Sequence, residues 1–464
     1  MRSFGVPAVV LAAFYVACTD PPKLGSRNDG SAGTGAVAGG SEETGGSGTN
    51  TAGTSNHGEA GDKGEAGDKG EAGDKGEAGD KGEAGESATG GTSSGGKGGG
   101  SANAGSGGTA QTLGGSGGLE SQGGNGGAAP GSCTTTGITT LPTPPTTSVA
   151  KPSGAVGGLK VVDWAGFKGA ISYTFDDSLA SQVAHYAELN AVGVPMTFFM
   201  VCQNAKASTS TWVKAVADGH ELGNHTYHHC NASGANCGWG AWTDVDHEID
   251  DCTAYMKTTF GLPGVYTFAA PGGDGNWATP ASARFMLNRG VSDFAAFPND
   301  TTNAYGLPCH IAGLGETAAD IPGSPVIKGF NSVTDDARAN HSWRIILAHN
   351  VDPTINDYGY HPVQLAEVVA TMTYTKGLGD VWADTMVSIG SYFLAQKAMN
   401  NLTPATVGSD KVYSWTLPAH FPPGHHIRVT VTGGTVKQCG NELPWDAHGY
   451  YEIDLDAGSL TVSP

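Results

Sequence analysis

Between Thr19 and Asp163 the chain contains no Phe, Tyr or Trp. A stretch of that length built from Gly, Ser, Thr and Ala cannot bury enough apolar surface to offset the entropy lost on ordering. Of the 74 glycines, 40 precede Cys133. The chain therefore divides into a long tether, expected over 19–158, and a folded part that begins near residue 159. Within the tether, residues 58–87 repeat Gly-Glu-Ala-Gly-Asp-Lys with glycine at every third position. That is the collagen period, but the run has no proline to pre-set the extended backbone. It reads as a charged disordered spacer, with a trimeric stalk as the alternative. As a coil, about 140 residues span roughly 60–70 Å root-mean-square.

Upstream lie Arg2, a mostly apolar run from Phe4 to Ala17, and Cys18. The run is too short for a stable membrane span and suits a signal-peptide core over residues 1–18. Tyr15-Val16-Ala17-Cys18 resembles a bacterial lipobox, in which Cys18 would take a lipid anchor. Tyr15 stands where leucine is usual, and an ordinary cleaved signal peptide is the alternative. Either way the chain is expected to be exported, as a cell-surface lipoprotein or a secreted protein.

The formal charge is −20, and ten acidic residues against four lysines lie in Gly58–Ser87 alone. No basic stripe is present, which excludes a nucleic-acid partner. Oligomeric state is not legible. Six cysteines fall in the folded part: Cys202, Cys230, Cys237, Cys252, Cys309 and Cys439. An even number in an exported chain predicts three disulfides, including one across the short Cys230–Cys237 loop.

From residue 159 to 400, apolar β-type runs alternate with helical patterns. Strands are expected at Gly169–Phe175, Val194–Val201, Glu221–Asn224, Val265–Ala270, Val291–Phe297, Arg344–His349 and Asp380–Trp382. Helices are expected at Leu179–Asn190, Thr211–Asp218, Asp244–Thr259, Pro280–Arg289, Pro362–Thr375 and Asp384–Ala398. Repeated β-then-α units predict an α/β fold, a distorted (β/α) barrel of about seven parallel strands. Residues 401–464 switch to alternating patterns and turns and predict a small all-β module.

Three expected strand ends carry polar groups. Asp176 and Asp177 follow an apolar strand, where a helix cap is the bland alternative. His225 and His229 are four apart, so a helical turn would put both imidazoles on one side; a surface histidine cluster is the alternative. His228 falls off that side and reads as a polar surface residue. His349 closes Ile345-Ile346-Leu347-Ala348. One carboxylate and two imidazoles make a three-ligand set that leaves room for water and substrate, as in catalytic zinc sites. A second carboxylate and a further histidine are available for proton transfer.

These motifs resemble the polysaccharide deacetylases of carbohydrate esterase family 4, the NodB-like domain. Thr174–Asp177 matches its T-F-D-D motif, and His225, Thr226 and His229 its H-[S/T]-x-x-H motif. Leu347-Ala348-His349 matches L-x-H. The resemblance implies that Asp177, His225 and His229 hold a divalent metal, with Zn2+ the expected ion. It implies that Asp176 is the catalytic base and His349 the catalytic acid. The implied reaction is removal of acetyl groups from an acetylated polysaccharide or oligosaccharide, through an amide or ester bond. Two family motifs depart from the pattern. The family's R-x-P-[Y/F]-G reads Ala269-Ala270-Pro271-Gly272-Gly273, leaving Asp176 without its usual arginine unless another cation substitutes. No tryptophan lies in Val291–Thr302, so a wall would have to come from elsewhere, with Trp382 as a candidate. A catalytically impaired sugar-binding module and a surface protein built around a collagen-like stalk remain as alternatives.

Overall fold

The computed structural model describes residues 141–298, 300–321, 329–357 and 359–464. The expected signal peptide, Cys18 and the collagen-like repeat lie outside these residues. The strands are β1 Lys160–Val161, β2 Ala170–Asp176, β3 Thr197–Met200, β4 Glu221–Asn224, β5 Thr267–Ala269, β6 Leu287–Arg289, β7 His310–Ile311, β8 Trp343–Ala348 and β9 Trp382–Ala383. All but β1 form one parallel sheet in the order β6-β5-β4-β3-β2-β8-β7, with β9 added beside β2. The strand β2 is buried along its whole length, including Ser172 and Thr174, as expected of a parallel strand covered on both faces.

The sheet curls into a distorted (β/α) barrel. Asp176 on β2 and Arg289 on β6 are in contact although three strands separate them in sheet order. Helices pack outside it: α1 Ala180–Ala184, α2 Tyr186–Ala191, α3 Cys202–Ala205, α4 Thr209–Ala217, α5 Cys252–Phe260, α6 Ala278–Ser282, α7 Asn331–Asn340, α8 Leu365–Leu378 and α9 Met386–Met399. Apolar residues from the strands and helices meet in the core, including Phe198, Trp212, Phe268 and Met372. The C-terminal ends of β2, β4, β5, β6 and β8 open toward one cavity.

Two expectations about these elements are corrected. Val291–Phe297 is not a strand; only Ala296 bridges to Trp343. The strand beside β5 is Leu287–Arg289, which the periodicity had placed in a helix running to Arg289. That helix, α6, covers only Ala278–Ser282. In addition, β7 and α7 are elements that the pattern did not reveal.

Strands β10 to β16, from Ala405–Val407 to Ser459–Ser463, form the expected all-β module. Its strand β12, His426–Thr430, pairs with β1. The buried Arg428 guanidinium donates to the carbonyls of Leu141, Pro142 and Ala165. Residues 141–158, read from composition as the end of the tether, bind this module: Val149 N donates to Ala447 O at 2.8 Å and Gly154 N to Thr432 O at 2.9 Å.

Of the six cysteines, Cys202 pairs with Cys252 and Cys230 with Cys237. Cys439 is also in a disulfide. Cys309 is a free, buried thiol, so the six do not form three bridges among themselves. It packs between β6 and β7, where its Sγ donates to Gly290 O at 3.2 Å.

Candidate metal centre and active site

Asp176 is the last residue of β2, and Asp177 follows with φ 77°. The left-handed turn at Asp177 swings its carboxylate back into the barrel mouth. The two carboxylates therefore do not point to opposite sides, as a continued extended segment would require. Asp176 Oδ2 and Asp177 Oδ1 each lie 3.5 Å from His225 Nε2.

His225 follows directly on β4. Expected on a helical turn, His225 and His229 instead sit on a tight irregular turn in which Thr226 (φ 66°) and His229 (φ 57°) are both left-handed. The imidazoles still converge, with ring centroids 4.8 Å apart. His229 Nε2 lies 3.5 Å from Asp177 Oδ1. One ligating atom from each of Asp177, His225 and His229 falls within 4.8 Å of the others. The Thr226 hydroxyl accepts from His229 N at 2.9 Å and closes the turn.

The donor chemistry fits a cation. His225 Nδ1 donates to Ala269 O at 2.8 Å, which leaves Nε2 as a lone pair facing two carboxylate oxygens. Asp176 Oδ1 and Asp177 Oδ1 are buried and have no hydrogen-bond partner. Oriented lone pairs around a small buried space are costly unless a cation fills it. Burial works against the charge of Asp177, but His229, His225 and His349 outweigh it and hold its pKa below the usual carboxylate range. Burial likewise opposes a charged His225, yet Asp176 and Asp177 prevail and raise its pKa. Burial lowers His229 to about 4. The neutral imidazole is the ligating form.

The missing arginine is replaced from the neighbouring strand. Arg289 is paired in register with Ala269, the residue at the expected arginine position. Its Nη2 donates to Asp176 Oδ2, and the pair is buried. Burial opposes the guanidinium charge, but Asp176 outweighs it and raises the Arg289 pKa. The guanidinium also lies 5.2 Å over the Phe199 ring. Gly223 makes room for that ring, because a Cβ there would meet Phe199 at 2.5 Å.

His349 lies just beyond β8 and lines the same cavity of 740 Å³. Burial lowers its pKa. Gln182 fixes its strand end, with Nε2 donating to His349 O at 2.9 Å and to Asp176 O at 2.6 Å. Trp382 is not a wall of this cavity; it is buried, its indole N–H donating to Asp384 at 3.0 Å and its ring edge-on to Tyr392. The aromatic residues that do line it are Trp239, Trp242 and Tyr360. Trp239 stands edge-on to His229, centroids 5.6 Å apart, and follows the Cys230–Cys237 loop. Aromatic residues so near the histidine motif were the available sequence signal for this wall.

Residues 166–288 match the family model described as polysaccharide deacetylase. No curated protein matches the chain. Among solved structures, a putative polysaccharide deacetylase from Mycobacterium smegmatis is similar at 19% identity and TM-score 0.37, over 55% of this chain and 98% of that one. A family 4 carbohydrate esterase from Bacillus anthracis is similar at 16% identity and TM-score 0.30, over 50% of this chain and 85% of that one. Puue allantoinase is similar at 14% identity and TM-score 0.34, over 50% and 91%.

Proposed function

Because the chain carries a polysaccharide deacetylase domain, we propose that it is a metal-dependent hydrolase that removes acetyl groups from an acetylated polysaccharide or oligosaccharide. The observation that carries this reading is the facing set of Asp177, His225 and His229, with unpartnered buried oxygens beside a second, arginine-held carboxylate. Asp177, His225 and His229 would hold a divalent cation, with zinc the best match to one carboxylate and two imidazoles, and it would supply the Lewis acidity that lowers the pKa of water.

The chain's own residues do the rest. Asp176 accepts the water's proton at Oδ1, its other oxygen being engaged by Arg289. Gly272, in the cavity wall, offers its backbone N–H to the developing oxyanion. His349, whose pKa burial lowers, receives the proton collected at Asp176 and delivers it to the leaving nitrogen or oxygen, which returns Asp176 to its carboxylate form. Trp239 and Tyr360 give the cavity the aromatic faces on which sugar rings stack.

In the same reading the chain is exported, tethered to the cell surface through Cys18 or released. The two disulfides of the barrel support an oxidising compartment. The test is acetate release from N- and O-acetylated polymers, measured for chelator-stripped protein before and after zinc is restored. Release that requires zinc supports the reading. No release from any acetylated glycan at full metal load overturns it in favour of a sugar-binding module.

A further inference from the structure

The turn that carries His225 and His229 is held by a residue that no chemistry described so far uses. Glu248 is fully buried. Its Oε2 accepts the backbone N–H groups of Tyr227 at 3.0 Å and His228 at 2.8 Å, and its Oε1 lies 2.9 Å from His228 Nδ1. These are two of the three residues between the histidines. No lysine or arginine among the described residues forms an ion pair with Glu248; its side-chain nitrogen partner is His228 Nδ1. His228 thus faces inward, where the sequence placed it on the surface.

Glu248 lies on a π-helical turn, His247–Asp251, that leads into α5. On this turn the Ile249 carbonyl accepts from Asn224 Nδ2 at 3.0 Å as well as from the Cys252 backbone N–H, and the other end of that amide accepts from Thr226 N at 2.8 Å. One helical irregularity therefore grips the histidine turn on both sides of His225. The turn needs holding. Thr226 and His229 both sit in the left-handed region, and a β-branched residue there is strained. Such backbone persists only where surrounding groups over-determine it.

We propose that Glu248 is a positioning residue for the metal site. Its carboxylate fixes the backbone between His225 and His229 and thereby sets the angle at which the two imidazoles converge. Both carboxylate oxygens are acceptors, and the turn presents three donors. Glutamine has the same shape but would turn an NH2 group toward one set of those donors.

This inference rests on the metal reading above, and the experiment separates the two. Wild type, Glu248→Gln and Glu248→Ala are compared as full chains for zinc affinity by chelator competition, and for the visible spectrum after loading with cobalt(II). Urea unfolding of the metal-free proteins identifies the folded fraction. Loss of a group that orients ligands costs about 10- to 100-fold in metal affinity. Glu248→Gln, the milder change, should keep the fold, bind zinc about 10-fold or more weakly, and shift the cobalt bands. Folded Glu248→Gln with wild-type zinc affinity and an unchanged cobalt spectrum overturns the positioning role alone. Wild type that binds neither metal overturns the metal reading, and this role with it.

Discussion

Arg289 and Asp176 meet inside the barrel although they lie on strands separated by three others in the sheet. Both side chains are almost wholly shielded from solvent. A buried carboxylate with one oxygen on a guanidinium and the other free is held in orientation and left able to accept a proton. The pair explains how a site without the expected arginine at Ala269 can still keep a base in place.

Breaking this pair should cost stability as well as turnover. Arg289→Met leaves Asp176 buried without its guanidinium, and removing one partner of a buried ion pair typically destabilises by about 3–5 kcal/mol. Urea unfolding should show a loss of that order, and the double variant Asp176→Asn/Arg289→Met should recover much of it. Equal losses in the single and double variants would mean that the two groups are not coupled.

Why Arg289 was hidden is a matter of physical signal. Strand β6 is three residues long, Leu287-Asn288-Arg289, and ends in two polar groups that point into the structure. Such a segment shows neither an apolar run nor alternation, so it was absorbed into the helical pattern before it. The strands that were legible, such as β2 and β8, are longer, buried and apolar. Asp176, Asp177 and His349 were legible for the same reason, since they stand at or just beyond these strands, whereas His225 was legible through its four-residue spacing from His229. The conformations at Asp177 and Thr226 were not, because left-handed backbone at non-glycine residues leaves no compositional mark.

His310 gives the fold a pH dependence of its own. It bridges Asp293 and Glu316 at 2.9 Å each. Burial works against its charge, but these carboxylates prevail and raise its pKa to about 9. An unfolded histidine titrates near 6.5. The native state therefore holds this proton more tightly, and the stabilisation is complete below about pH 6.5 and lost as pH rises toward 9. His310→Gln should flatten that part of the stability profile in urea melts at graded pH. An unchanged slope would remove His310 as its source.

Cys309 should be silent in the native protein. Burial pushes its thiol up to about 12, so little thiolate exists at neutral pH. Alkylation at pH 8 should spare Cys309 until the chain is unfolded, and peptide mapping should return Cys202–Cys252 and Cys230–Cys237 as pairs. Rapid native labelling of Cys309, or its recovery in a disulfide, would contradict the packing between β6 and β7.

Trp239 should matter for sugars and not for the acetyl group alone. It lines the cavity beside His229 without belonging to the ligand set. Stacking on an aromatic face is worth about 0.5–1.5 kcal/mol beyond burial. Trp239→Ala should raise KM for an acetylated oligosaccharide several-fold and leave hydrolysis of a small aryl acetate near wild type. Equal losses on both substrates would make Trp239 a support for His229 and not a sugar contact.

The assignment of separate roles to two adjacent carboxylates is most directly tested by zinc content and acetate release, measured side by side for Asp176→Asn and Asp177→Asn. Both groups face His225 Nε2 at 3.5 Å, so distance alone does not separate them. Asp177 is the one that also faces His229, and Asp176 is the one held by Arg289. Asp177→Asn should therefore lose zinc. Asp176→Asn should keep zinc and lose about 10²–10⁴ in rate, the usual cost of a missing general base. Equal zinc loss in the two variants, or full activity in Asp176→Asn, would contradict the assigned roles.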